Sequence, residues 1–142
     1  MEATALIRQS GHWSVVLGPD RWLRHFVRDP QQRMEVGERR LALLALWLGS
    51  ELMRRLLHGD AETHLVRVRL LGNRAIPGGP ADNTLLSVDG VITVDGDESG
   101  KEVNRWLPIL LKSDSLLSQT DGTMRIEQLQ VVVQPRKHVW LF

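Results

Sequence analysis

The sequence predicts an α+β protein with a mostly antiparallel sheet packed against a short and a long helix. Three observations lead there. A long apolar stretch with helical periodicity covers about Val36–His58. Short β-rich segments lie both before and after it. The helical patterning falls early, without the strand–helix alternation that builds a parallel sheet.

The elements follow in order. Ala5-Leu6-Ile7 and Trp13-Ser14-Val15-Val16-Leu17 read as two short strands. Gln9-Ser10-Gly11-His12 between them suits a hairpin turn, with Gly at the tight point. Gly18-Pro19-Asp20 has the character of a helix start, since Pro fits the first helical position and Asp suits the positive end of the dipole. Trp22, Leu23, Phe26 and Val27 then fall on one face of a short helix ending near Asp29-Pro30.

The long helix is the clearest element. Leu41, Leu44, Ala45, Leu48 and Leu52 form one stripe, and Leu43, Leu46 and Trp47 widen it. Its first half is therefore apolar nearly all round, which calls for burial on more than one side. Its second half is amphipathic, with Glu51, Arg54 and Arg55 turned outward. Gly59 is placed to cap it.

Thr63–Leu71 alternates as a strand with one buried face. Gly72–Asn83, with Pro77-Gly78-Gly79-Pro80, reads as a loop. Leu85–Val94 reads as a strand or a hairpin, with Asp89-Gly90 a candidate tight turn. Asp95–Gly100 reads as a loop. Glu102–Leu117 has helical spacing at Val103, Trp106, Leu107, Leu110 and Leu111, but Pro108 opposes an uninterrupted helix. Thr123–Val133 is a strand, and Lys137–Phe142 is a candidate for a last short one.

The chain has 142 residues, enough for a single domain over 1–142. A chain of this length buries roughly 68% of its unfolded surface, so it needs no staples. There are no cysteines. Disulfides, thiolate nucleophiles and zinc–thiolate sites are thereby excluded, and a reducing, cytoplasmic setting is expected. Met1-Glu2-Ala3-Thr4 has neither the basic nor the apolar region of a signal peptide. The longest apolar run, Leu41–Leu48, is far short of the roughly twenty residues of a membrane span.

Net charge is +1, unevenly spread. Residues 21–74 hold eleven Arg and six acids, a balance of +5. Residues 75–142 hold six basic and nine acidic groups, a balance of −3. An Arg-rich surface could face an acidic partner or a phosphate backbone.

Motifs of chemistry are weak. Asp95, Asp97, Ser99 and Gly100 match the first positions of a calcium loop, but Trp106 stands where a bidentate Glu is required. Gly96…Gly100-Lys101 is one residue short of a phosphate loop, and Glu102 replaces its Ser/Thr. His12, His25, His58, His64 and His138 have no metal-binding spacing. His58 suits the negative end of the helix dipole, and His12 and His64 could meet across a sheet. No Gly-x-Ser-x-Gly elbow is present. The sequence therefore predicts no enzyme, no cofactor, no metal and no small-molecule substrate.

Five Trp and no Tyr is an unusual aromatic set. Trp22, with Arg21 and Arg24, and Trp106, with Arg105, could stack single-stranded bases. The chain ends on Val139-Trp140-Leu141-Phe142, which reads as a docked final strand or part of a partner surface.

In order and spacing, Gly11–Leu17, Trp22-Leu23, Leu41–Leu46 and Leu65–Leu70 resemble the N-terminal region of the cytoplasmic-ring (sorting-platform) subunits of type III secretion systems. The likeness covers about residues 11–112 and implies a non-enzymatic assembly module that binds other apparatus subunits. That family's C-terminal β-rich, ring-forming domain has no counterpart here.

The expectation is a protein-interaction or assembly module, a subunit of a larger secretion-type or phage-type apparatus, binding a protein partner or itself. Trp140, Leu141, Phe142, Arg54 and Arg55 are its candidate contact residues. The alternative is a nucleic-acid-binding module using Arg21, Trp22, Arg24 and Arg28.

Overall fold

The structure is a computed structural model that describes residues 1–18, 21–23, 36–59, 62–74, 86–120 and 122–135. Strands β1 (Glu2–Arg8), β2 (Trp13–Leu17) and β3 (Arg21–Leu23) precede helix α1 (Val36–His58). Strands β4 (Leu65–Arg74) and β5 (Leu86–Asp95) follow, then helices α2 (Asp97–Leu111) and α3 (Asp114–Thr120), and strand β6 (Met124–Gln134). The α+β class and the mostly antiparallel sheet are as the sequence predicts. Among the described residues, the sheet runs β3-β2-β1-β4-β5-β6, and only the β5–β6 pair is parallel. A parallel pair needs a crossover, and α2 with α3 supplies it.

The first hairpin forms where the sequence places it. Gly11 takes φ 90 in its turn, a conformation that side chains disfavour. The helix expected from Trp22 does not begin there. Arg21–Leu23 is a strand instead, with Trp22 opposite Val16 and Leu23 opposite Val15. The edge of β2 offers backbone partners at once, whereas a short helix must first nucleate. Phe26 and Val27, the rest of that expected helix, lie outside the described residues.

Helix α1 has the predicted bounds. Leu41, Leu44, Ala45, Leu48, Leu52 and Leu56 are fully buried against the sheet. Gly49 sets how close the helix comes: a Cβ there would lie 2.8 Å from Ile7 Cγ1 and 3.4 Å from Val68 Cγ2. The expected burial on a second side comes from α2 and α3, which also contact α1. Leu43, Leu46 and Trp47 pack only partly on the core. Gly59 ends the helix by donating its N–H to the Arg55 and Leu56 carbonyls, both at 3.2 Å.

Strand β5 corrects the reading of Asp89-Gly90 as a turn. Both lie within one continuous strand, with Asp89 opposite Leu71 and Gly90 opposite Leu70. A Cβ on Gly90 would meet Leu70 Cδ2 at 2.6 Å and Leu129 Cδ2 at 2.7 Å. The glycine is there because two leucines from neighbouring strands use its space. Between Val88 and Asp89 the register with β6 slips by one residue, and Glu127 is the unpaired extra.

Helix α2 corrects two further expectations. It starts at Asp97, inside the stretch read as a loop, and runs through Pro108. Asp97 and Glu98 favour the positive end of its dipole, and Gly96 at φ 88 turns the chain out of β5. An interior proline costs about 3 kcal/mol. Val103, Leu107 and Leu110 are all buried, at about 1.5–3 kcal/mol each, so burial outweighs the break.

Candidate interaction surface

The described helices lie on one face of the sheet. Helix α1 covers β1, β2 and β4, and α2 covers β5 and β6. Among the described residues, no element covers the opposite face over Arg69 and Leu71 of β4, Asp89 and Val91 of β5, and Gln128 and Gln130 of β6, which line a cavity of about 400 Å³. Its charges are partly matched in place. Arg69 Nε donates to Glu2 Oε1 at 2.6 Å, and that bond with the Glu2 charge raises the guanidinium pKa.

Strand β6 bounds this face and, among the described residues, is an outer edge of the sheet. It is eleven residues long, against three for β3 at the other edge. Arg125 and Glu127 lie in its first half, 3.7 Å apart. From Gln128 to Gln134 it reads Gln-Leu-Gln-Val-Val-Val-Gln, without a charge, a glycine or a proline. Pro135 follows. Val132 and Val133 are each more than a third exposed. Protein edges are ordinarily guarded by charges, proline or brevity, and this half of β6 has none of these.

The predicted contact residues fall elsewhere. Arg54 is exposed and donates to Glu51 Oε2 at 2.8 Å. Arg55, expected to point outward, is half-buried with its guanidinium 4.8 Å from the centre of the Trp106 ring. Trp106 Nε1 donates in turn to Glu102 Oε2 at 3.2 Å. Arg55 thus joins α1 to α2. Arg21 and Trp22 belong to β3 by their backbone. Arg24, Arg28, Trp140, Leu141 and Phe142 lie outside the described residues.

The Arg-rich segment is partly neutralised in space. Glu51 holds Arg54 and Arg55, and Glu2 holds Arg69. The linear charge asymmetry therefore overstates the free positive surface among the described residues.

One polar cluster has the form of a catalytic dyad. His64 Nδ1 and Asp95 Oδ2 lie 2.9 Å apart. Asp95 is buried, while the His64 side chain is 65% exposed. The same carboxylate accepts the His64 backbone N–H at 3.1 Å. Beside it, the Thr63 and Ser99 hydroxyls bond to each other, both fully buried. The arrangement ties the entry of β4 to the exit of β5 and the first turn of α2. Asp95 sits about 13 Å, four strand residues, from Val91 at the near end of the cavity. His12 bonds to Ser10 Oγ at 2.9 Å rather than to His64. Asp97–Gly100 is helical, so the calcium-loop match is not a loop. Among the described residues, no group of three or more His, Asp or Glu is placed to hold a metal ion, and no helix is long and apolar enough to cross a membrane.

Sequence reasoning located β6 as a strand but not as a site. The available signal was its seven uncharged residues. Comparison with family models, curated proteins and solved structures gave no match.

Proposed function

We propose that this chain is a non-catalytic protein-interaction or assembly module whose contact surface is the β6 edge with the adjoining open sheet face. The observation that carries the reading is the long, uncharged edge Gln128–Gln134. Such an edge presents a row of unpaired backbone donors and acceptors, and strand addition is the recurring way to satisfy them. The partial neutralisation of the arginines supports a protein partner over a phosphate backbone. The order of elements likened above to secretion-platform subunits is compatible with a place in a larger secretion-type or phage-type apparatus.

The test is assembly state. Light scattering across a wide concentration range, with pull-down against candidate partners, is expected to show an oligomer or a stable complex. A strict monomer that recovers no partner contradicts the reading. Salt-sensitive binding to oligonucleotides, with quenched Trp fluorescence, would favour the nucleic-acid alternative instead.

A further inference from the structure

We propose that β6 pairs with β6 of a second copy of this chain, antiparallel across a twofold axis at Val131, joining two six-stranded sheets into one. The proposal rests on the assembly reading and names its partner.

The edge itself selects an extended backbone, because only a strand matches its spacing of N–H and C=O groups. Its sequence selects a copy of itself. Val131 is the centre of the uncharged window. Antiparallel pairing about it sets Val131 against Val131 and Leu129 against Val133 of the second copy. It also sets Gln130 against Val132, and Gln128 against Gln134. The faces agree. Leu129 and Val131 pack on the core and Val133 lies against Gly100 of α2, so these three share the helix-covered face. Gln128 and Gln130 line the open face, which Val132 and Gln134 share by alternation. Apolar thus meets apolar on one face; on the other, Gln128 meets Gln134 at both ends of the window, and Gln130 lies against Val132. Arg125 and Glu127 fall outside the window. A net charge of +1 adds little repulsion between copies.

The helices also fit. Helix α2 lies over β5 and β6, and strands are spaced about 4.8 Å apart. With α2 centred between those strands, the twofold would place the two α2 helices about 10 Å apart. That is helix-packing distance. Trp106 faces Arg55 of α1. The flank away from it carries the stripe Asp97, Lys101, Asn104, Pro108 and Leu111 at helical spacing; the last three are uncharged, and Leu111 is half-buried. The same axis that pairs β6 would bring these stripes together.

The chain lacks cysteine, so one introduced thiol reports cleanly. Residues opposite each other in an antiparallel pair have Cα atoms about 4.5–5.5 Å apart, within disulfide range. Under mild oxidation, Val131→Cys is expected to cross-link into a dimer, while Ser118→Cys on exposed α3 does not. Sedimentation velocity is expected to show a wild-type dimer. Gln130→Lys/Val132→Lys, two exposed positions that put four lysines across the axis, should weaken it by roughly tenfold or more. Its circular dichroism should stay that of the wild type. Self-pairing is overturned if the wild type is monomeric throughout, if the lysine pair dimerises like wild type, or if Val131→Cys cross-links no faster than Ser118→Cys. A monomer that binds a different protein through a lysine-sensitive β6 overturns self-pairing and leaves the assembly reading standing. A monomer with no partner overturns both.

Discussion

Gly90 is the position where one added methyl group tests the packing most sharply. It sits in mid-β5 between Leu70 of β4 and Leu129 of β6. In Gly90→Ala the new Cβ would lie 2.6 Å from Leu70 Cδ2, 2.7 Å from Leu129 Cδ2 and 3.0 Å from the Arg69 carbonyl oxygen. Carbon atoms in contact prefer about 3.5–4.0 Å, so each methyl must retreat by about 1 Å. Leu129 is only partly buried and can turn. Leu70 is fully buried and has nowhere to go. Overpacking of this kind costs about 1–3 kcal/mol. Removing a glycine from a strand returns about 0.5–1 kcal/mol. The net expectation is a loss of about 1–2 kcal/mol, a melting temperature lower by about 3–8 °C for a chain this size. Urea and thermal unfolding measure it, and Gly90→Ala/Leu129→Ala should show a favourable coupling between the two changes. Gly90→Asn separates this account from a turn at Asp89-Gly90. A turn accepts Asn readily, whereas the packed strand should lose more stability with Asn than with Ala. An unchanged midpoint for Gly90→Ala, or Asn better tolerated than Ala, would refute the reasoning.

Further expectations concern the polar contacts. Asp95→Ala removes the acceptor of both His64 N–H groups beside the buried Thr63–Ser99 pair, and should cost about 1–3 kcal/mol in chemical denaturation. His64→Ala, losing one bond from an exposed ring, should cost clearly less, and equal losses would argue that the imidazole has another task. Trp106→Leu should destabilise by about 0.5–2 kcal/mol through loss of the Arg55 stacking. Arg54→Ala, breaking an exposed helix pair, should stay within about 0.5 kcal/mol. A large effect at Arg54 without one at Trp106 would reverse the roles assigned to them.

What could be read from the sequence was local. Helix α1 announced itself because its Leu periodicity and Gly59 cap are properties of one segment. Strand β4 did so through its strict alternation, and the first hairpin through Gly11. What escaped was decided by neighbours far along the chain. Arg21–Leu23 is a strand because β2 lies beside it. Helix α2 survives Pro108 because Val103, Leu107 and Leu110 find a core that their own segment does not contain. Gly90 looked like a turn residue because Leu70 and Leu129 are invisible from its local context. The same holds for the candidate surface. The composition of β6 is plain in the sequence, but its place at the edge follows from the ladder order, which no local pattern encodes. Arg55 looked like a solvent-facing charge until Trp106 came to meet it.

The central claim is that the edge of β6 is a strand-pairing surface, and amide hydrogen exchange reads that edge directly. Amides that face outward from an unpaired edge exchange fast, and those that bond to β5 exchange slowly. The account predicts that protection over Gln128–Gln134 rises with protein concentration, while β3 at the opposite edge does not change. Outward amides of Gln128–Gln134 that stay unprotected at every concentration, with and without partner proteins, would contradict it.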